Sequence, residues 1–193
     1  MRCQFAILAL CTAGAISFEA GATVVRGMTL EQKTLSAPTI VLAEVLSQDT
    51  HWVREGGSAE TVFTLKVKQS FKGELRSGST FTLLQAGGRI GQFVHEVPGQ
   101  SPWKKGEQAI LFLEPFERHF VEIGVGIGKY GIEQGIVTHA PKVAVAIVEK
   151  GRQMKIEAAQ PMKPTPLPAF VAQLKGFLEK TTPKTPRPAI QGR

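Results

Sequence analysis

Val97-Pro-Gly-Gln-Ser-Pro-Trp-Lys-Lys-Gly-Glu-Gln-Ala-Ile-Leu-Phe-Leu113 decides the fold. Its first half is turn chemistry: Pro98-Gly99, Pro102 and Gly106 punctuate it. Its second half, Gln108 to Leu113, is a short unbroken apolar run fed by the turn at Gly106-Glu107. A run of that length predicts a strand buried on both faces. Pro cannot donate to a ladder, so Glu114-Pro115 predicts its end.

Outward from this stretch, strands recur between Gly- and Pro-marked turns. Toward the N-terminus, Ser79 to Leu84 reads as a strand, and Phe71 to Gly78 as a turn. Glu60 to Lys68 alternates, with Thr61, Phe63, Leu65 and Val67 on one face and Val62, Thr64, Lys66 and Lys68 on the other. Period two predicts a half-buried strand. Gln48 to Ala59 is a polar excursion that reads as a loop or hairpin tip. Thr39 to Ser47 is a further strand. Thr29 and Gln32 have capping-box spacing, which opens a short helix over 28–36 that ends at Ala37-Pro38. Toward the C-terminus, Arg118–Ile123, Lys129–Ile132, Ile136–Thr138 and Val143–Val148 complete seven to nine strands. Short strands at this spacing predict a mainly all-β domain, an OB-like or small antiparallel barrel. Phe170, Val171, Leu174, Phe177 and Leu178 lie at helical spacing and predict one amphipathic helix docked on the barrel.

The chain has 193 residues, 42% of them hydrophobic, enough for one domain with a real core. Arg2 followed by the apolar run Phe5–Ile16 and by Ala20-Gly21-Ala22 reads as a secretory signal cleaved near Ala22. This predicts export, to the periplasm or outside the cell, with no membrane span. Leu10 before Cys11 is too large for a lipobox, which disfavours lipidation. Both cysteines, Cys3 and Cys11, lie in that segment. The division expected is a signal peptide at 1–22, a β-barrel domain at 23–153, a linker and C-terminal helix at 154–180, and a disordered basic tail at 181–193.

The chemistry expected is sparse. Past the signal there is one aspartate, Asp49, and the chain has no asparagine. No Ser stands in a nucleophile elbow, and His51, His95, His119 and His139 lack zinc-helix spacing. No catalytic residue, metal or cofactor is assigned. Gly126-Ile-Gly-Lys-Tyr-Gly131 matches the dinucleotide fingerprint in letters. No helix is predicted after it, so nucleotide binding is not expected, and tight packing on the glycines is. The formal charge of +7 is scattered rather than striped, which argues against nucleic acid. Trp52, Arg89, Trp103, Lys104 and Lys105 sit in loops and are the candidate binding residues, with a protein or an anionic surface polymer as partner. For Trp103 the alternative is a lid on one barrel end, with its N–H reaching water.

Ser36-Ala-Pro-Thr-Ile-Val-Leu-Ala-Glu-Val45, Phe63–Val67 with Phe71-Lys-Gly73, Ala86-Gly-Gly88 and Val97–Leu113 together resemble exported bacterial proteins of unassigned function with an OB-like barrel. Their order is loosely similar to netrin-like and TIMP-like domains. The resemblance implies the barrel. The function expected is that of an exported non-catalytic binding or envelope-associated protein; the resemblance suggests an alternative, modulation of a secreted metalloprotease, although the chelating N-terminal Cys of TIMP-like inhibitors has no counterpart here. A hydrolase with a Glu/His site is a third.

Overall fold

The computed structural model describes residues 24–53, 57–100, 102–139, 141, 144–148 and 154–181. The expected signal peptide and all of the expected tail after Thr181 lie outside them. In chain order the elements are β1 (Val24–Arg26), α1 (Leu30–Ser36), β2 (Thr39–Trp52), β3 (Ala59–Lys72), β4 (Thr80–Ala86), β5 (Gly88–Ile90) and β6 (Phe93–His95). They continue with β7 (Gln108–Phe116), β8 (His119–Glu122), β9 (Lys129–Glu133), β10 (Ile136–Thr138), β11 (Ala144–Val148), β12 (Met154–Ala158), β13 (Thr165–Pro166) and α2 (Leu167–Thr181).

The molecule is mainly β, and its main sheet closes on itself. β2 pairs with β3 and β7, β3 with β4, and β7 with β8. β8 then returns to β4 through one parallel pair, Leu83 opposite Phe120. The circuit β2-β3-β4-β8-β7 is a five-strand ring in OB order, with its parallel seam between the third and fifth strands. β9, β10 and β13 carry the sheet past the ring from β7, while β1, β11 and β12 form a separate three-stranded sheet.

β7 is the strand on which this depends. Ala109, Leu111 and Leu113 face the ring interior with Val41, Ala43, Val45, Phe63, Leu65, Val67, Phe81, Leu83 and Trp103. Ile110 and Phe112 face the other way, against Ile40, Tyr130, Val137 and the α2 residues Phe170 and Leu174. All five β7 residues from Ala109 to Leu113 are fully buried. That is why the run is continuous rather than alternating. Burying one Phe or Leu side chain contributes roughly 1.5–3 kcal/mol, so Phe170 and Leu174 are the main anchors of α2, aided by the partly buried Leu167, Val171 and Leu178.

α1 forms as its cap predicts. The Thr29 hydroxyl accepts from the Gln32 N–H at 3.1 Å, and Gln32 Oε1 accepts from the Thr29 N–H at 2.8 Å. At the other end, the Lys72 ammonium donates to the Thr34 and Leu35 carbonyls at 2.9 and 3.0 Å. A cation there complements the helix dipole.

Three expectations need correction. The polar excursion 48–59 is strand down to its tip, since Gln48 to Trp52 pair with Phe63 to Ala59. On the β2 side that ladder forms with little burial, so periodicity gave no signal. β7 does not stop at Pro115, which stands opposite Phe120 in the β7–β8 hairpin. β2 begins at Thr39, opposite Leu113, so from residue 114 onward β7 lacks that neighbour and tolerates proline. Met154–Ala158, expected as linker, pairs with β11.

The glycine-rich segment is an excursion in a single strand line. Phe112 donates to the Gly128 carbonyl at 2.9 Å and accepts from the Ile123 N–H at 3.0 Å, so both ends of the 124–127 loop meet at one β7 residue. A Cβ on Gly128 would stand 2.8 Å from the Phe112 carbonyl oxygen. Tight packing explains this glycine.

Candidate functional site

The 102–107 turn is built around one buried cation. Lys129, opposite Leu111 at the start of β9, points to the ring face and is 8% exposed. Its ammonium lies 2.7 Å from Glu107 Oε1 and 2.5 Å from the Pro102 carbonyl. It also stands 3.8 Å from the centre of the Trp103 ring. Glu107 Oε2 accepts from the Lys104 N–H at 2.9 Å, and Gly106 donates to the Val45 carbonyl at 2.8 Å. Gly106 takes φ +80°, which a residue with a Cβ rarely adopts. The turn is thus pinned to β2 by backbone and to β9 by charge.

Between this turn and β9–β10 lies a cleft of about 550 Å³. Alternate β9 residues Lys129, Gly131 and Glu133 form its floor, with Thr138 of β10 opposite Gly131. Gly131 contributes no side chain, which leaves the floor open beside Glu107 and Thr138. Lys104 and Lys105 stand exposed on one rim, and neither forms an ion pair among the described residues.

Behind the far wall, Lys33 reaches in from α1. Its ammonium donates to the Ile127 carbonyl at 2.8 Å and the Tyr130 hydroxyl at 2.9 Å, and it lies 3.1 Å from His139 Nε2. His139 Nδ1 sits 2.7 Å from the Lys129 carbonyl, so Nδ1 carries the proton and Nε2 accepts from Lys33. The imidazole stacks on Tyr130 at 4.1 Å. Burial, aided by the Lys33 charge, pushes the His139 pKa down to about 4, against the pull of the Lys129 carbonyl. Burial lowers Lys33 to about 8, opposed by the Glu122 charge. Burial also raises the Tyr130 phenol.

Glu122 joins these charged groups from β8. Its stem is half-buried at the sheet, but its carboxyl is enclosed, and burial raises its pKa to about 7. Lys129 opposes that rise most strongly, followed by the indole N–H of Trp103; Glu107 adds to it, and Lys33 opposes it. Glu122 Oε2 and Trp103 Nε1 are both buried without a well-formed hydrogen bond, so the indole acts on the carboxyl as a nearby dipole.

The cleft brings Glu107, Glu133 and His139 together, as a hydrolase of the Glu/His kind would require. Both His139 nitrogens are engaged, by Lys33 and by the Lys129 carbonyl, and Glu107 is engaged by Lys129 and the Lys104 N–H. The other histidines are also engaged: His51 with Glu60 at 2.9 Å, His95 with the Ala59 backbone, and His119 with Thr82 at 2.7 Å. No group of three His, Cys, Asp or Glu among the described residues could hold a metal ion.

The five candidate residues divide, and Trp52 and Arg89, expected in loops, lie in β2 and β5. Lys104 and Lys105 line the cleft. Trp103 is in the ring core, packed on Phe63 at 5.8 Å, and its N–H does not reach water. Trp52 and Arg89 lie at the far hairpin tips, where Trp52 meets Phe93 edge-on at 5.7 Å. Sequence reading missed Lys33, Glu107, Glu122, Lys129 and His139. Lys33 did carry a signal, because Leu30, Lys33 and Ala37 share one helical face, which puts a charge in an apolar stripe. Glu122 shares the inward face of Phe120 in the same way.

No family model matches the chain, no curated protein matches it, and no solved structure matches it.

Proposed function

We propose that this chain is an exported, non-catalytic binding module that holds an anionic group of its partner in the cleft beside the 102–107 turn. The observation that carries this reading is the pair Lys104 and Lys105, exposed and free of ion pairs among the described residues, on the rim of the cleft. A charge that no internal carboxylate neutralises remains available to an external one, and a concave, pre-formed wall concentrates its field. The expectation of export rests on the Phe5–Ile16 run and Ala20-Gly21-Ala22; N-terminal sequencing of protein from a periplasmic fraction tests it, and an intact Met1 sinks it.

Binding is tested on an immobilised sulfated polysaccharide eluted with salt. Lys104→Ala with Lys105→Ala should elute at markedly lower salt than the parent. Lys66→Ala with Lys175→Ala removes the same charge from exposed positions elsewhere and should shift elution much less. Equal shifts from the two pairs would mean that net charge alone retains the protein, and the reading would fall.

A further inference from the structure

Lys129 belongs to two charge systems at once. On the cleft side it is bonded to Glu107. On the barrel side it has a second carboxylate neighbour. Leu111 stands opposite Lys129 and Leu113 opposite Glu122, and residues paired across strands share a face. The two charged side chains therefore leave the sheet on the same face, two β7 positions apart, roughly 7 Å along the strand. The meeting of Ile123 and Gly128 at Phe112 fixes that spacing. Between them lies Trp103, its ring under the Lys129 ammonium and its buried N–H without a well-formed partner, as is Glu122 Oε2.

The charged groups around Glu122 come from several elements. Lys129 faces it from β9, Glu107 from the approach to β7 and Lys33 from α1. On the seam side, Glu60 of β3 and Glu114 of β7 line a second cleft with it, of about 450 Å³. His139 is uncharged at neutral pH. The energy of this arrangement depends on whether Glu122 carries a charge: ionised, it competes with Glu107 for Lys129; protonated, it leaves Lys129 to the cleft.

We propose that the cleft binds its anion with proton uptake at Glu122, and so binds more tightly in acid than at neutral pH. The proposal rests on the reading of the cleft as an anion site. An anion on the Lys104–Lys105 rim makes the potential at Glu122 more negative, which favours the protonated form. By linkage, protonation then favours the anion. With Glu122 held near 7 by burial, the effect falls between about pH 6 and 8. If binding raises the Glu122 pKa by about one unit, affinity is about fivefold greater at pH 6 than at pH 8.

Two measurements test this. In the free protein, the Trp103 indole N–H resonance should titrate with a midpoint near 7 and should stop titrating in Glu122→Gln, with Trp52 as internal reference. A Trp103 resonance indifferent to pH across that range overturns the proposal. Calorimetry with a sulfated hexasaccharide, in buffers of different ionisation enthalpy, should show net proton uptake at pH 7 that Glu122→Gln abolishes. Should Glu122→Gln fail to fold, Trp103→Phe removes the N–H and should raise the Glu122 midpoint, read from its carboxyl carbon. Proton uptake that persists unchanged in the folded Glu122→Gln variant refutes the assignment. No binding at any pH, with the Trp103 titration intact, also overturns it and places the failure in the reading of the cleft.

Discussion

Replacing Glu122 by Gln should stabilise the protein at pH 8 by more than it does at pH 5. In the fold this carboxyl titrates near 7, against 4.5 in an exposed setting. At about 1.4 kcal/mol per unit, the gap corresponds to roughly 3 kcal/mol. The folded state holds a proton that the unfolded chain gives up between these values. The stabilisation from Glu122 is therefore complete below 4.5 and is lost as pH rises through 7. Gln keeps the size of the side chain and cannot ionise. Any fixed cost of placing its amide near Trp103 cancels when the two pH values are compared. The stability difference between variant and parent should grow by about 2–3 kcal/mol from pH 5 to pH 8. Urea unfolding followed by tryptophan fluorescence at both pH values measures it. A difference that stays constant or shrinks would refute the reasoning, because the burial and charge competition assigned to Glu122 would then not be there.

Two glycines of opposite context should respond oppositely. Gly128→Ala drives a methyl into the Phe112 carbonyl at 2.8 Å and should cost about 2 kcal/mol or more, whereas Gly176→Ala in α2 meets nothing within 4 Å and should gain about 0.5–1 kcal/mol. Thermal melts of the pair decide it, and a neutral Gly128→Ala would undo the account of the 124–127 excursion. Lys33→Met strands the Ile127 carbonyl, the Tyr130 hydroxyl and His139 Nε2, at a cost of about 1–3 kcal/mol at pH 7. In the parent, the folded state releases the Lys33 proton near 8 and the unfolded chain near 10.5, so this residue makes stability rise with pH from about 8. A pH series of unfolding midpoints should show that rise in the parent and not in Lys33→Met.

The ring was legible where burial imposes a pattern. Thr61, Phe63, Leu65 and Val67 alternate because one face of β3 is core, and 109–113 runs apolar because β7 is core on both faces. The cap of α1 was legible because its hydrogen bonds are local. The β2 arm of the β2–β3 hairpin beyond Ser47 was not, since an exposed strand needs no apolar period. The site was legible only at its rim. Lys104 and Lys105 stand beside turn residues that sequence marks, but the partners that define the cleft lie far apart in the chain. Lys33 meets His139 across 106 positions, and Lys129 meets Glu107 across a topology that spacing does not encode.

The order of synthesis sets when β1 can pair. Val24 lies opposite Ala144, and β11 is in turn held by β12. The first strand therefore waits for about 120 further residues before its partner exists, on the order of ten seconds at ribosomal rates. The strands of the five-strand ring all precede Ile123, so they are complete earlier. The outer face of β7, however, waits for Tyr130, Val137 and α2, so the barrel's two cores are completed at different times.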